Sequence, residues 1–396
     1  MFIKKPLIVI IKEVKMKKSI KVVWISSYLP RSCGVAYYSA DYISALHNYA
    51  RKTRRKFYVK IIAHTDASQA DYPVINQSDR DWHFKVLKII KKEKPDVVHI
   101  QHEYGLYETY CDGNKRVVDF IKKVKQEGIP VVMTYHSIYK KMNKPFSDFV
   151  SETLKELDAG IFHCDYQKKF LKRNIGWSPE NVYVIPHGSQ EDIKLDKQKV
   201  KKSFGHELNE LVVGSAGIAD ERKGFRTLIR QWPKVVKKFP NAVLSLELKP
   251  HAAKQTRKYI EKVTKEIMKS PVSKNIELKV RDYGLEEFHR RLKSFDVLVL
   301  AYKSESQSGV LAQGFAVGTP AVVTDIEGLG AEIRNSNAGI AVEKREYFYK
   351  AIIKMLSSKK LRDKYSKNAL KYVKNVNGWN IVAKKTFDIY ESILEK

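Results

Sequence analysis

The residues best suited to chemistry in this 396-residue chain lie between Asp296 and Ile333. Val297–Leu300 is a short apolar run. Ser304–Ser308 is a serine-rich turn, and Gly309–Val317 has the character of a helix. Gly318-Thr319-Pro320 then breaks the chain before a second apolar run at Ala321–Thr324. A strand, a turn and a helix start in that order aim unfilled backbone N–H groups at whatever lies above the sheet, and a helix start attracts anions. Glu305 stands beside that anion site. A carboxylate next to a phosphate is repelled unless it has another task, such as holding hydroxyls. This turn therefore predicts a ligand with both a phosphate and a polyol.

Other stretches offer matching chemistry. Arg222-Lys223-Gly224-Phe225 places two cations on a glycine-flanked turn after an apolar run, which suits a diphosphate through charge-assisted bonds. A solvated basic pair is the ordinary alternative, and the strand context with Gly224 weighs against it. Gly34 follows the first apolar run and opens a helix, where a ligand could approach the backbone. An ordinary strand-to-helix turn explains that glycine equally well. Arg31 nearby suits a phosphate or an acidic acceptor. His99 to Gly105 ends an apolar run, and alternation puts His99 and Gln101 on one side and Ile100 and His102 on the other. For any one of these residues a structural hydrogen bond is the commoner role. Thr134-Tyr135-His136-Ser137 ends the next run. At Pro186-His187-Gly188 the structural reading is preferred: proline and glycine make a bend, with His187 able to line a cleft.

The run Ser304-Glu305-Ser306-Gln307-Ser308-Gly309-Val310-Leu311-Ala312-Gln313, continued to Gly318-Thr319-Pro320, resembles the donor signature of retaining glycosyltransferases of family 4. That family's pattern is E-x7-E followed by small residues and G-T/K-P. Its first Glu falls on Glu305 and its second on Gln313, where an amide replaces a carboxylate. The resemblance implies the GT-B fold and the transfer of a sugar from a nucleotide diphosphate to an acceptor hydroxyl with retained configuration. It implies Glu305 and His136 as catalytic residues, with His136 matching the T-x-H motif. It implies donor contacts from Gly34, Arg222, Lys223, Ser306, Gln307, Ser308, Gly309, Val310, Gln313 and Arg281. His102, Glu103 and Arg31 fall on the acceptor side. Within the family the leaving phosphate takes the acceptor's proton and the reaction runs on one face of the sugar. An amide at position 313 would hold ribose hydroxyls by bonds worth about 1 kcal/mol instead of ~2. The form of the turn is more like mannosyltransferase-type members, which makes GDP-mannose the expected donor and UDP-sugars the next.

These residues need a scaffold, and the apolar runs supply one. Ile20–Ile25, Tyr58–Ala63, Val97–Gln101, Pro130–Tyr135, Gly160–His163 and Val182–Ile185 form one series. Leu211–Ser215, Val243–Leu248, Ile276–Val280, Val297–Leu300, Ala321–Thr324 and Ile340–Val342 form a second. Near-continuous apolar strands between amphipathic stretches mean parallel sheets covered on both faces. The expected class is α/β, with two doubly wound Rossmann-like domains facing each other across a cleft and ligands at the carboxyl ends of the strands. The expected divisions are an extension over 1–18, an acceptor-side domain over 19–190, a donor domain over 191–375 and a helical segment over 376–396. The polar stretch from Pro186 to Phe204 is the expected joint, and in the family the last helix crosses back to the first domain.

Composition bounds the partners. The 74 Lys and Arg against 44 Asp and Glu leave a net charge of +30, which favours anionic ligands, although the lysines are spread along the whole chain. Three scattered cysteines (Cys33, Cys111, Cys164) argue against a disulfide framework and suit a reducing compartment. No apolar run reaches the ~20 residues of a membrane span, and Pro6–Ile11 is too short for a signal peptide. A cytoplasmic protein is expected, with contact to an anionic membrane surface open. No D-x-D motif stands at a strand end, so no metal or cofactor is expected, and the cations can do that work. The expected partners are a nucleotide-sugar and a glycan, glycoprotein or glycolipid acceptor, without nucleic acid; a homodimer is compatible. Two other readings stay open: a nucleotide-sugar epimerase on the same fold, and a basic binding protein for nucleic acid or anionic membrane.

Overall fold

The computed structural model describes residues 19–108, 115–250 and 254–395. The expected extension over 1–18 and Cys111 lie outside the described residues. The first sheet has seven parallel strands in the order β3-β2-β1-β4-β5-β6-β7. They are β1 (Ser19–Ile25), β2 (Lys56–His64), β3 (Tyr72–Ile75), β4 (Val97–His102), β5 (Val131–Tyr135), β6 (Ala159–Phe162) and β7 (Val182–Val184). The second has six in the order β10-β9-β8-β11-β12-β13. These are β8 (Leu211–Ile218), β9 (Ala242–Lys249), β10 (Ile276–Val280), β11 (Val297–Leu300), β12 (Ala321–Thr324) and β13 (Gly339–Val342). Both strand orders reverse direction beside their first strand, the place where doubly wound sheets open a crevice.

Burial on both faces explains the strand sequences. In β1, Val22 and Trp24 enter one core cluster while Val23 and Ile25 enter another. In β11, Val297 and Val299 face one cluster and Leu298 and Leu300 the other. Strand β3 was not among the expected strands. It carries Pro73, which cannot donate to a ladder, and it lies at the sheet edge with only β2 beside it.

The helix Trp379–Leu394 packs on the first described helix (Gly34–Lys52). Val382, Ala383, Phe387 and Tyr390 share a core cluster with Trp24, Tyr38, Tyr42 and Leu46, and Tyr42 hydrogen-bonds Thr386. The chain thus crosses between the sheets twice, and the two crossings are sewn together. Asn377 Nδ2 donates to the His187 carbonyl and lies 3.2 Å from Ser189 Oγ. Trp379 N donates to the Ser189 carbonyl at 3.0 Å. Gly188 is required here, because a Cβ would stand 2.2 Å from the Trp379 ring. The expected polar joint is only partly irregular: Lys197–Ser203 forms a short helix, capped by Asp196. Its Lys197 and Lys201 pair with Asp296 at 2.8 and 3.0 Å.

Candidate active site

Strand β11 is fully buried and continues through buried Ala301 and Tyr302 before the chain turns out at Lys303. After the turn, Ser308 caps the helix Gly309–Ala316, its Oγ accepting from Leu311 N at 3.3 Å. The cap takes one N–H of that helix start, and the earlier ones have no intrahelical partner. Buried Ser306 donates to the carbonyl of His136 at 3.1 Å, tying the turn to the first domain. A Cβ on Gly309 would stand 3.3 Å from His187 Nε2, so glycine lets the helix start lie against the bend.

Glu305 is ion-paired with Lys223 from the adjacent strand-end turn. The Lys223 ammonium also lies 4.1 Å from the centre of the Tyr302 ring. Burial works against its charge, but Tyr302 and Glu305 outweigh burial and raise its pKa, so Lys223 stays a cation. Its turn is tightly built. Asp220 accepts from Arg222 N at 2.7 Å, and Lys303 N donates to the Arg222 carbonyl at 2.7 Å. Gly224 ends the turn at φ +71°, with a hypothetical Cβ only 1.9 Å from the Ala301 carbonyl oxygen. Only glycine allows Lys223 to sit this close to β11. Arg222 is held differently: its guanidinium is 56% exposed and pairs with Asp220 at 3.0 Å. Its charge reaches Glu305 and, across the cleft, Tyr139 and Glu103.

On the facing wall, His136 is buried, with Nε2 3.0 Å from Gln101 Oε1. Burial, reinforced by His163 and His187, holds its pKa well below the usual histidine range. Glu103 turns toward the cleft, accepting from Ser137 Oγ at 2.6 Å and Tyr104 N at 2.8 Å. Burial pushes its carboxyl up to about 7, aided by Glu305 and opposed by Ser137, Tyr104 N–H and Arg222. His102 is not brought to the cleft. Its ring is buried 4.5 Å from Phe149, on the opposite face of β4 from Gln101, as strand alternation requires. Arg31 is also engaged elsewhere, with Asp66 at 3.1 Å.

Gly34 faces open space, with nothing within 4 Å of a hypothetical Cβ. Beside it, Ser32 Oγ donates to Asp282 at 2.6 Å, and the Lys249 ammonium stands 4.7 Å from the Tyr37 ring, so the two domains meet here too. Arg281 pairs with Glu287 at 2.8 Å and stacks over Tyr283. Gln313 bonds through Oε1 to His289, a partner that sequence spacing did not suggest. Gln307 is next to a second opening between the domains, of about 370 Å³, that also includes His163, His187 and Glu332. Tyr302 belongs to the form of the turn, but nothing in the sequence assigns it a role beside Lys223. Its signal was a lone aromatic residue directly after an apolar strand, which is indistinguishable from core.

The Glu305 turn, the Lys223 turn and the His136–Glu103 wall meet in one interdomain cleft. A cationic floor and an acidic side chain beside a helix start fit a ligand with an anionic end and hydroxyls. Among the described residues, no group of three or more His, Cys, Asp or Glu has the arrangement to hold a metal ion. No described helix is long and apolar enough to cross a membrane.

Comparison with known proteins agrees with this architecture. The model of Glycosyltransferase Family 4 matches residues 44–191, and that of Glycosyl transferases group 1 matches residues 196–372. An uncharacterised glycosyltransferase of Methanocaldococcus jannaschii is 26% identical over 257 residues, 62% of this chain. The match spans 60% of that relative's length. Among solved structures, a glycosyltransferase of Rickettsia africae superposes with TM-score 0.72 at 16% identity, covering 96% of this chain and 99% of that one. HepE of Anabaena in complex with UDP gives 0.70 at 12%, covering 94% and 100%. Sucrose-phosphate synthase of Thermosynechococcus elongatus gives 0.71 at 14%, covering 94% and 98%. At these identities the structural likeness concerns the fold, which is GT-B.

Proposed function

The chain belongs to glycosyltransferase family 4, and from that premise we propose that it moves a hexose from a nucleotide diphosphate to an acceptor hydroxyl with retained configuration. The observation that carries this reading is the Lys223–Glu305 ion pair, set against the helix start at Gly309 in the cleft between the domains. With a donor bound, Lys223 turns to the diphosphate and Glu305 to the hydroxyls of the sugar. Arg222, half free at the rim, closes on the phosphates. The backbone N–H groups of Gln307 to Val310, with Ser306 and Ser308 shaping the turn, take the distal phosphate. Gly34 leaves room for the donor, and the Arg281 corner borders its base. Gln313 remains the candidate for the ribose, its oxygen already committed to His289.

Departure of the nucleotide is the costly step, because negative charge grows on the diphosphate as the sugar becomes oxocarbenium-like. Preorganised cations and N–H donors are worth most at that moment, ~10²–10³ in rate for a single donor. Glu103 belongs to the acceptor side, whereas the burial of His102 and the Asp66 pairing of Arg31 argue against those two. The donor is proposed as GDP-mannose from the form of the turn. The UDP bound in HepE supports a nucleotide diphosphate as the ligand class and sets UDP-sugars beside it.

The test is turnover of GDP-mannose, UDP-glucose and UDP-N-acetylglucosamine by the parent protein and by Glu305→Ala. Release of nucleotide by the parent, in the presence of EDTA, and its loss in the variant are expected. Equal turnover by both would remove Glu305 from the site. Conversion of the donor sugar with no acceptor and no nucleotide release would point to an epimerase instead.

A further inference from the structure

A buried chain of hydrogen bonds runs from the helix Trp379–Leu394 to the cleft. Tyr390 Oη lies 2.5 Å from His99 Nδ1. His99 Nε2 lies 3.1 Å from Gln101 Nε2 and 2.8 Å from Thr134 Oγ1. Gln101 Oε1 lies 3.0 Å from His136 Nε2. All five side chains are buried, so no solvent can replace a missing partner and a broken link is costly.

The middle member sets the polarity of this chain. Gln101 has one accepting end and one donating end. Its oxygen faces His136 Nε2, which must carry the ring proton. Its amide N–H faces His99 Nε2, which must be bare. The His99 proton then sits on Nδ1 and is donated to Tyr390 Oη. With the Gln101 amide in this orientation the chain is consistent throughout and leaves His136 Nδ1 unprotonated, whereas turning the amide over would reverse every proton along it.

We propose that Gln101 is a positioning residue for His136, locking its ring with Nε2–H turned into the first domain and bare Nδ1 left to accept a hydrogen bond from a hydroxyl of the donor sugar, with His99 and Tyr390 extending the lock to the helix Trp379–Leu394. This rests on the functional reading above. The backbone around the ring is fixed as well: His136 N donates to the His102 carbonyl at 2.9 Å, and the His136 carbonyl accepts from Ser306. Only a neutral ring can offer a lone pair, and the surroundings keep it neutral. Burial drives His99 to about 3 and His136 well below its usual value. The titratable groups around His136 are Tyr38, whose ring is at 4.9 Å, His163 at 5.1 Å, His187, His102 and His99. The carboxylates nearest in the cleft, Glu103 bonded to Ser137 and Glu305 next to Ser306, are not among the leading influences on the ring, which are burial and the surrounding histidines.

The experiment pairs Gln101→Met with Gln101→Glu and reads three quantities: affinity for UDP and GDP by calorimetry, donor turnover against pH, and the ¹⁵N signature of the His136 ring. In the parent protein, the signature is that of the Nε2–H tautomer. In Gln101→Met the tautomer is no longer fixed, and turnover falls ~10–100-fold, as when an orienting partner is removed, while nucleotide affinity stays within about two-fold of the parent. In Gln101→Glu the new carboxylate stabilises protonated His136 and raises its pKa. Turnover is then low at acidic pH and recovers as pH rises through that pKa, a limb absent from the parent. A merely structural role would lower both variants alike and add no such limb. Parent-like turnover and an unchanged ¹⁵N pattern in Gln101→Met would overturn the proposal. Failure of the parent to bind or turn over any nucleotide-sugar would sink the functional reading instead, and the ¹⁵N pattern would still decide the tautomer.

Discussion

Lys223 touches three things: the Glu305 carboxylate, the face of Tyr302 and, through its backbone, the turn that closes on β11. A lysine in that position keeps its charge in a half-dry place, which is what a phosphate-binding cation requires. Glu103 across the cleft has the opposite character, because burial works against its charge and moves it to about 7. An acid with a raised folded pKa binds more protons folded than unfolded between its model value, 4.5, and about 7. Its stabilising contribution is therefore present at low pH and lost as pH rises through about 7. Glu103→Gln should leave the melting temperature nearly unchanged at acidic pH and raise it at alkaline pH, by up to about 3 kcal/mol of stability. Thermal unfolding across a pH series checks this, and parallel parent and variant curves would contradict it.

At the scale of elements, the site depends on turns that glycine makes possible. Gly224→Ala meets the Ala301 carbonyl at a positive φ, so it should destabilise the second domain by more than ~1 kcal/mol and weaken nucleotide binding by displacing Lys223. Urea unfolding together with titration separates the two effects. The same elements show what the sequence could reveal. Strands β10, β11 and β12 have the bounds read from their sequences: burial on both faces leaves no charged residue inside β11 and β12, whereas β10, at the sheet edge, carries Glu277 and Lys279 between its apolar residues. Strand β3 escaped notice because an edge strand tolerates Pro73. Glu305 and Lys223 could each be singled out, but their pairing, 82 residues apart, arises only from the neighbouring positions of β8 and β11 in the sheet. The His289 partner of Gln313 and the route from Tyr390 to His136 likewise depend on helix packing that no local spacing encodes.

For the whole molecule, the first domain is incomplete without the end of the chain. Phe387 and Tyr390 fill the same core as Trp24, so Phe387→Ala should cost about 3–5 kcal/mol. Calorimetric unfolding should show the loss in the transition of the first domain. The double crossing at Gly188 and Asn377 joins that core to the bend beside the helix start at Gly309, and polar contacts at Ser32–Asp282 and Ser306–His136 fasten the cleft on either side. A ligand gripped from both walls in such a cleft ties chemistry to domain closure. The most direct test is calorimetric titration of UDP and GDP into the parent protein and into Lys223→Ala. Binding of at least one nucleotide by the parent and a loss of ~10-fold or more in the variant, on the scale of one charged hydrogen bond, is the predicted result. Equal affinities would show that the diphosphate does not rest on Lys223 and would contradict the account.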